Sequence, residues 1–116
     1  MTPEEWNRLF LGLHNETRGH AGPLVWSREL EAMAAAHAQK MVQMRYPFHD
    51  MVPEGGGQNV AVGRLNFARK PEAVLRRWME DPPHARVVVD QKWHEVGAAY
   101  GIDPATNDVY VVADYR

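Results

Sequence analysis

Helical patterns come first in this chain and a strand–turn–strand pattern comes last, and that order narrows the fold more than any other feature. Thr2-Pro3-Glu4-Glu5 reads as a helix start: Thr2 is a cap, Pro3 suits the first helical position, and Glu5 completes a T-x-x-E box. Trp6, Leu9, Phe10 and Leu13 then recur at helical spacing, which predicts a first helix to about Arg18, ended by Gly19 and Gly22-Pro23. Leu24-Val25-Trp26 is a short extended link. Ser27 caps a second helix, whose Leu30, Met33, Ala34, His37, Ala38, Met41 and Met44 share a face and which stops before Pro47. Pro71 opens a third helix with Val74, Leu75, Trp78 and Met79 inward, and Pro82-Pro83 stops it. Glu95 to Ile102 and the alternating Val109 to Tyr115 are strands, joined by a turn over Asp103 to Asp108. Asn59 to Val62 fits a short strand or one helical turn, and periodicity does not decide between them. The expected class is α+β, with helices packed on a small antiparallel sheet in a single domain, 1–116.

Composition excludes several functions. A chain of 116 residues with a formal net charge of −2 carries no basic footprint for nucleic acid. Its one dense cationic group, Arg64, Arg69, Lys70, Arg76 and Arg77, is diluted by acids and reads as a solvated face. With no cysteine, disulfides, thiolate catalysis and cysteine zinc sites are out. Ser27 is the only serine and is taken up as a cap, so serine acyl-enzyme chemistry is not expected. Met1 to Trp6 is acidic and lacks an apolar core, so it is not read as a signal peptide, and no apolar run nears the ~18 residues of a transmembrane segment.

Six histidines are the remaining chemistry. His37, on the alanine-rich face of the second helix, is expected to be a core histidine with a hydrogen-bond partner. His20 reads as exposed, and His94 is left open. Asn15 and Arg18 are expected to bind backbone carbonyls of another segment. His49 and His84 lie in proline-bordered loops, where sites on rigid scaffolds tend to form, with the polar Gln58 between them in sequence. Asp50, Glu54, Glu80, Asp81 and Glu95 are nearby acids, and none can be selected by spacing.

These residues, taken in order, resemble the CAP superfamily of cysteine-rich secretory, antigen 5 and pathogenesis-related proteins, in its short bacterial-type branch lacking cysteine. Leu13-His14-Asn15 with Arg18 is similar to L-H-N-x-x-R, and Leu24-Val25-Trp26-Ser27 with Leu30 to L-x-W-(S/D)-x-x-L. Gly57-Gln58-Asn59-Val60-Ala61 is similar to G-E-N-I-A. Trp78 to Arg86 is similar to W-M-x-S-P-x-H-R-x with the arginine shifted, and Glu95-Val96-Gly97 to E-V-G. The resemblance implies a three-layer α-β-α sandwich around a small central antiparallel sheet. It also implies a cleft of two histidines and two acids that in several members binds a divalent metal through the histidines. Carried over, the histidines are His49 and His84, Gln58 stands at the first acid position, and Asp81 stands about where the second would be.

Gln58 is neutral and cannot serve as a general base, and two histidines are a poor set for zinc, whose catalytic sites present three protein ligands. Zinc or another divalent metal is therefore expected to bind weakly at His49 and His84, not to be required, and a glutamate at 58 is expected to strengthen that site. The first functional reading is a non-enzymatic binding domain with a degenerate two-histidine cleft for an unknown small molecule, lipid or protein. The alternatives are a structural or adhesive module of a virion or cell surface, and a weak metal-dependent hydrolase using His49, His84, Asp81 and Glu54. The compartment stays open, although the family is usually extracellular.

Overall fold

The computed structural model describes residues 1–50, 52 and 54–116. Met51 and Pro53, in the loop expected between the second helix and Gly57, lie outside the described residues. Helix α1 spans Pro3–Arg18, with the Thr2 and Glu5 capping box formed in both directions. A 3-10 turn, Gly19–Ala21, leads to a two-residue strand β1, Val25–Trp26. Helix α2, Arg28–Met44, starts where the Ser27 hydroxyl accepts from Leu30 N–H and ends at Arg45 in the left-handed conformation. Strand β2 is Gly57–Arg64, so the ambiguous Asn59 to Val62 stretch is extended. A short helix α3, Leu65–Ala68, follows without having announced itself by periodicity. Helix α4 is Pro71–Met79. Pro82-Pro83 ends α4 as expected but also opens a further helix, α5, Pro82–Val88, because prolines in a first turn give up only N–H groups that have no intrahelical partner. Strands β3, Glu95–Ile102, and β4, Asp108–Tyr115, form the expected hairpin.

The sheet order is β1-β3-β4-β2, antiparallel except for the short parallel pairing of β1 with β3. Strand β4 is thus central and buried on both faces, so its alternation divides two cores. Val109, Val111, Ala113 and Tyr115 point into a core with Trp6 and Phe10 of α1, Val74, Leu75 and Trp78 of α4, and Val88 of α5. Tyr110 and Val112 point the other way, against Ala34, Ala38 and Met41 of α2. This is the three-layer α-β-α sandwich. The alanines let α2 lie close to the sheet, and Gly97 shows how close: a Cβ there would stand 2.2 Å from the backbone N of Glu31. Each of the four tryptophan N–H groups has an acceptor: Ala68 O for Trp6, Glu31 for Trp26, Val60 O for Trp78 and Val87 O for Trp93.

The L-H-N-x-x-R motif staples α1 to the rest of the chain. His14 Nδ1 donates to Phe10 O at 3.0 Å, which leaves Nε2 to accept from the Tyr115 hydroxyl at 2.7 Å. Burial lowers the His14 pKa to about 4 and raises that of Tyr115, so both stay neutral. Asn15 brackets Leu24, donating to its carbonyl and accepting from its N–H. Arg18, 3% exposed, donates to the carbonyls of Gly22, Val88, Asp90, Ala21 and Trp93. Every N–H of the guanidinium is used, and the loops before β1 and after α5 are fixed to the end of α1. A lysine cannot reproduce that fork. Arg18→Lys is expected to lose about 3 kcal/mol, the scale for stranding buried hydrogen-bond partners of a charged group, read as a lower urea midpoint with an unchanged slope.

Candidate functional site

Strand β2 is an edge strand, and what covers its edge creates the groove. Trp78 Nε1 donates to Val60 O at 3.1 Å and Arg77 donates to Val62 O at 2.6 Å, so helix α4 takes carbonyls that a sheet edge would otherwise offer to another strand. Arg77 is held for this by the face of Phe67, 4.0 Å beneath its guanidinium. Between this edge, α4 and the 47–49 segment lies a groove of about 510 Å³. Its floor is apolar, from Phe48, Val60, Ala61, Val62 and Trp78, and its polar lining includes His49, Asp81 and His84.

Gln58 and Asn59 bring the two histidine segments to one end of β2. Adjacent residues on a strand face opposite sides of the sheet. Gln58 faces the α2 side, where its Oε1 accepts from Asp50 N–H at 3.1 Å and from His49 Nδ1 at 3.0 Å. Asn59 faces the other core, where its Nδ2 donates to the His84 carbonyl at 3.1 Å. Gly57 clears the way, because a Cβ there would stand 2.5 Å from the Trp93 ring. The G-Q-N segment thus holds the His49 loop on one side and the start of α5 on the other.

The hydrogen bonds fix the protonation pattern of His49. A backbone N–H only donates, so the Gln58 atom that meets Asp50 N–H is the amide oxygen. The amide nitrogen then points the other way and donates to Asp114 Oδ1 at 2.8 Å. His49 Nδ1 faces an acceptor and carries a hydrogen, and Nε2 keeps its lone pair. His84 has a similar arrangement, with Nδ1 against Asp81 Oδ2. Asp81 therefore orients His84, as carboxylates behind metal-binding imidazoles do. As a donor set for the metal that the family pattern implies, two oriented imidazoles suit an ion held weakly and completed by solvent or ligand. Among the described residues no three histidine or carboxylate side chains gather into a fuller set.

The other candidates lie elsewhere. Glu54, Glu80, His20 and His94 are exposed and outside the groove lining. Asp50 pairs with Lys40 at 2.9 Å, and Glu95 pairs with Arg116 at 3.0 Å. His37 is buried as expected; its ring lies 5.1 Å from that of Phe48, and the Phe48 backbone approaches the imidazole as a loose hydrogen-bond contact short of a well-formed bond. Burial lowers its pKa, against a smaller raising effect from the Phe48 backbone and Asp50. Asp114 is the residue that sequence reasoning missed. It is 1% exposed, faces Gln58 across the β2–β4 ladder, and has no partner for Oδ2 among the described residues.

Comparison with known proteins agrees with this architecture. The family model described as CAP, the cysteine-rich secretory protein family, matches residues 11–115, and the chain belongs to that family. Among solved structures, an outer surface protein from Borrelia burgdorferi superposes with a TM-score of 0.79 at 16% identity, over 99% of this chain and 94% of that one. NaASP2, in a structure determined with Zn²⁺, gives 0.74 at 18% identity, over 99% and 80%. An extracellular protein from Bacillus anthracis containing an SCP domain gives 0.73 at 16% identity, over 99% of this chain and 43% of that one. At these identities the likeness is one of fold. No curated protein sequence matches the chain. No helix among the described residues is long and apolar enough to cross a membrane.

Burial pushes the Asp114 pKa up to about 6; the Gln58 hydrogen bond opposes this, Asp50 adds to it, and His49 lowers it. The folded-state value lies above the ordinary 3.8, so the folded chain holds this proton more tightly than the unfolded one. Stability from this group is full below about pH 4 and falls as pH rises through about 6. Asp114→Asn is therefore expected to be about 1–3 kcal/mol more stable than wild type at pH 7.5, with the difference closing at pH 4, by urea denaturation at both values.

Proposed function

We propose that this chain is a non-enzymatic CAP-type binding domain whose groove holds its ligand at the Nε2 atoms of His49 and His84, with a weakly bound divalent metal as the first such ligand. The observation that carries this reading is that both imidazoles line the groove with Nδ1 turned to an acceptor, Gln58 Oε1 for one and Asp81 for the other, which leaves two lone pairs for a cation. The apolar floor beside them suits an organic ligand that also meets the ion.

The side chains around the groove favour binding over catalysis. Gln58 is an amide and takes no proton from water. The single serine, Ser27, has its hydroxyl engaged by Leu30 N–H and Arg116 beneath α2. Asp81 is engaged with His84. An extracytoplasmic setting is part of the same proposal, supported by the surface and extracellular descriptions of the Borrelia and Bacillus proteins.

Calorimetric zinc titration at pH 7.5 tests the reading. Wild type is expected to bind one ion weakly, and His49→Ala and His84→Ala each to abolish it. Tight binding that survives His84→Ala would put the ion elsewhere. Chelator is expected to leave the melting temperature unchanged, since neither histidine holds the core together.

A further inference from the structure

The antiparallel register of β2 and β4 sets Gln58 directly across from Asp114, on the face that α2 covers. Two hydrogen bonds then run in series. Asp114 Oδ1 accepts from Gln58 Nε2 at 2.8 Å and Gln58 Oε1 accepts from His49 Nδ1 at 3.0 Å, which leaves the lone pair of His49 on Nε2; His49 itself lines the groove. We propose that Asp114 is a positioning residue for the groove: its buried carboxylate, acting through the Gln58 amide, holds His49 in the Nδ1–H form with Nε2 free to take a ligand. The proposal rests on the reading of His49 as a ligand residue.

Two further features point the same way. Asp114 is a poor residue for packing where it sits. Its neighbours along β4 on that face, Val112 and Tyr110, belong to the apolar core under α2, and its Oδ2 has no partner among the described residues. A buried carboxylate of this kind costs stability that an apolar residue would not, so its return lies in something other than the fold. The donor and acceptor count also makes positions 58 and 114 a matched pair. The amide at 58 offers hydrogens to the carboxylate and an oxygen to the imidazole at once. A glutamate at 58 would set two carboxyl groups against each other, and the pair would keep one proton between them in place of the amide hydrogens. The acidic charge of the family pattern, absent at 58, is thus present one strand over, and its effect reaches His49 by polarisation along the hydrogen bonds.

The test is nitrogen-15 NMR of the His49 imidazole in metal-free protein at pH 7.5, for wild type, Asp114→Asn and the double variant Gln58→Glu/Asp114→Asn, followed by zinc titration of each. Asp114→Asn keeps the shape and an acceptor for Gln58 while removing the charge, and Asp50 N–H still holds the Gln58 oxygen toward His49. The expected loss is therefore one of polarisation alone: a smaller Nδ1–H population at His49 and zinc binding about tenfold weaker, the lower end for a group behind a ligand. The double variant returns the charge to position 58, with the asparagine amide introduced at position 114 donating to it, and is expected to restore both. His49 tautomer populations in Asp114→Asn equal to wild type would overturn the proposal. The NMR readout needs no metal. A tautomer shift without zinc binding in wild type would sink the metal reading and support the relay, whereas zinc binding at His49 with no tautomer shift would do the reverse.

Discussion

Adjacent side chains on an extended strand point to opposite faces, and at Gln58 and Asn59 that constraint organises the groove. One amide reaches the loop that carries His49, and the other reaches the backbone of His84. Neither histidine segment is itself in the sheet. Their convergence depends on β2 being extended at this point and in register with β4, which pairs Gly57 with Tyr115, Gln58 with Asp114 and Asn59 with Ala113. A one-residue slip would exchange the two faces and send each amide to the wrong partner.

The register is protected by buried polar contacts at the end of the hairpin. Tyr115 closes β4 with its hydroxyl on His14, and Arg18 one turn further on binds carbonyls on both sides of the chain's long middle section. These groups are fully partnered, which is the condition under which buried polar side chains give a specific structure without a large net cost. Asp114 contrasts with them. It is as deeply buried, yet half of its carboxylate has no partner among the described residues. Within one sheet the structure therefore holds both fully partnered polar groups and one carboxyl group that is only half partnered among the described residues.

The same contrast bears on the neutral residue at position 58. Judged alone, Gln58 is the loss of an acid. Judged with its cross-strand neighbour, it is the connecting member of a carboxylate–amide–imidazole series, and the charge sits behind the histidine instead of beside it. Asp81 does the corresponding service for His84 from within one turn of chain. The two imidazoles are thus oriented by different means, one local and one long-range.

That difference marks the boundary of what was legible in the residues alone. Caps, the terminal hairpin and the segments that reach the groove were readable because each rests on chemistry within a few residues or on a motif carried as a string: Thr2 with Glu5, Ser27 before α2, Gly57-Gln58-Asn59. The sequence by itself determined the order of the three longer helices and the hairpin, the lack of cysteine, and most of each buried face; Leu9 of α1 and Met44 of α2, expected inward, are exposed, because the face of α1 that packs runs through Trp6, Phe10, His14 and Arg18 and the last turn of α2 extends past the core. Only the tertiary structure decided that Pro82-Pro83 opens a helix as well as closing one, that His37 packs its ring beside Phe48, and that Asp81 is spent on His84. It alone also brought Asp114 opposite Gln58, across 56 residues of chain. The physical reason is that strand alternation is visible in one dimension, whereas register and the choice of facing strand are settled by packing among elements far apart in sequence.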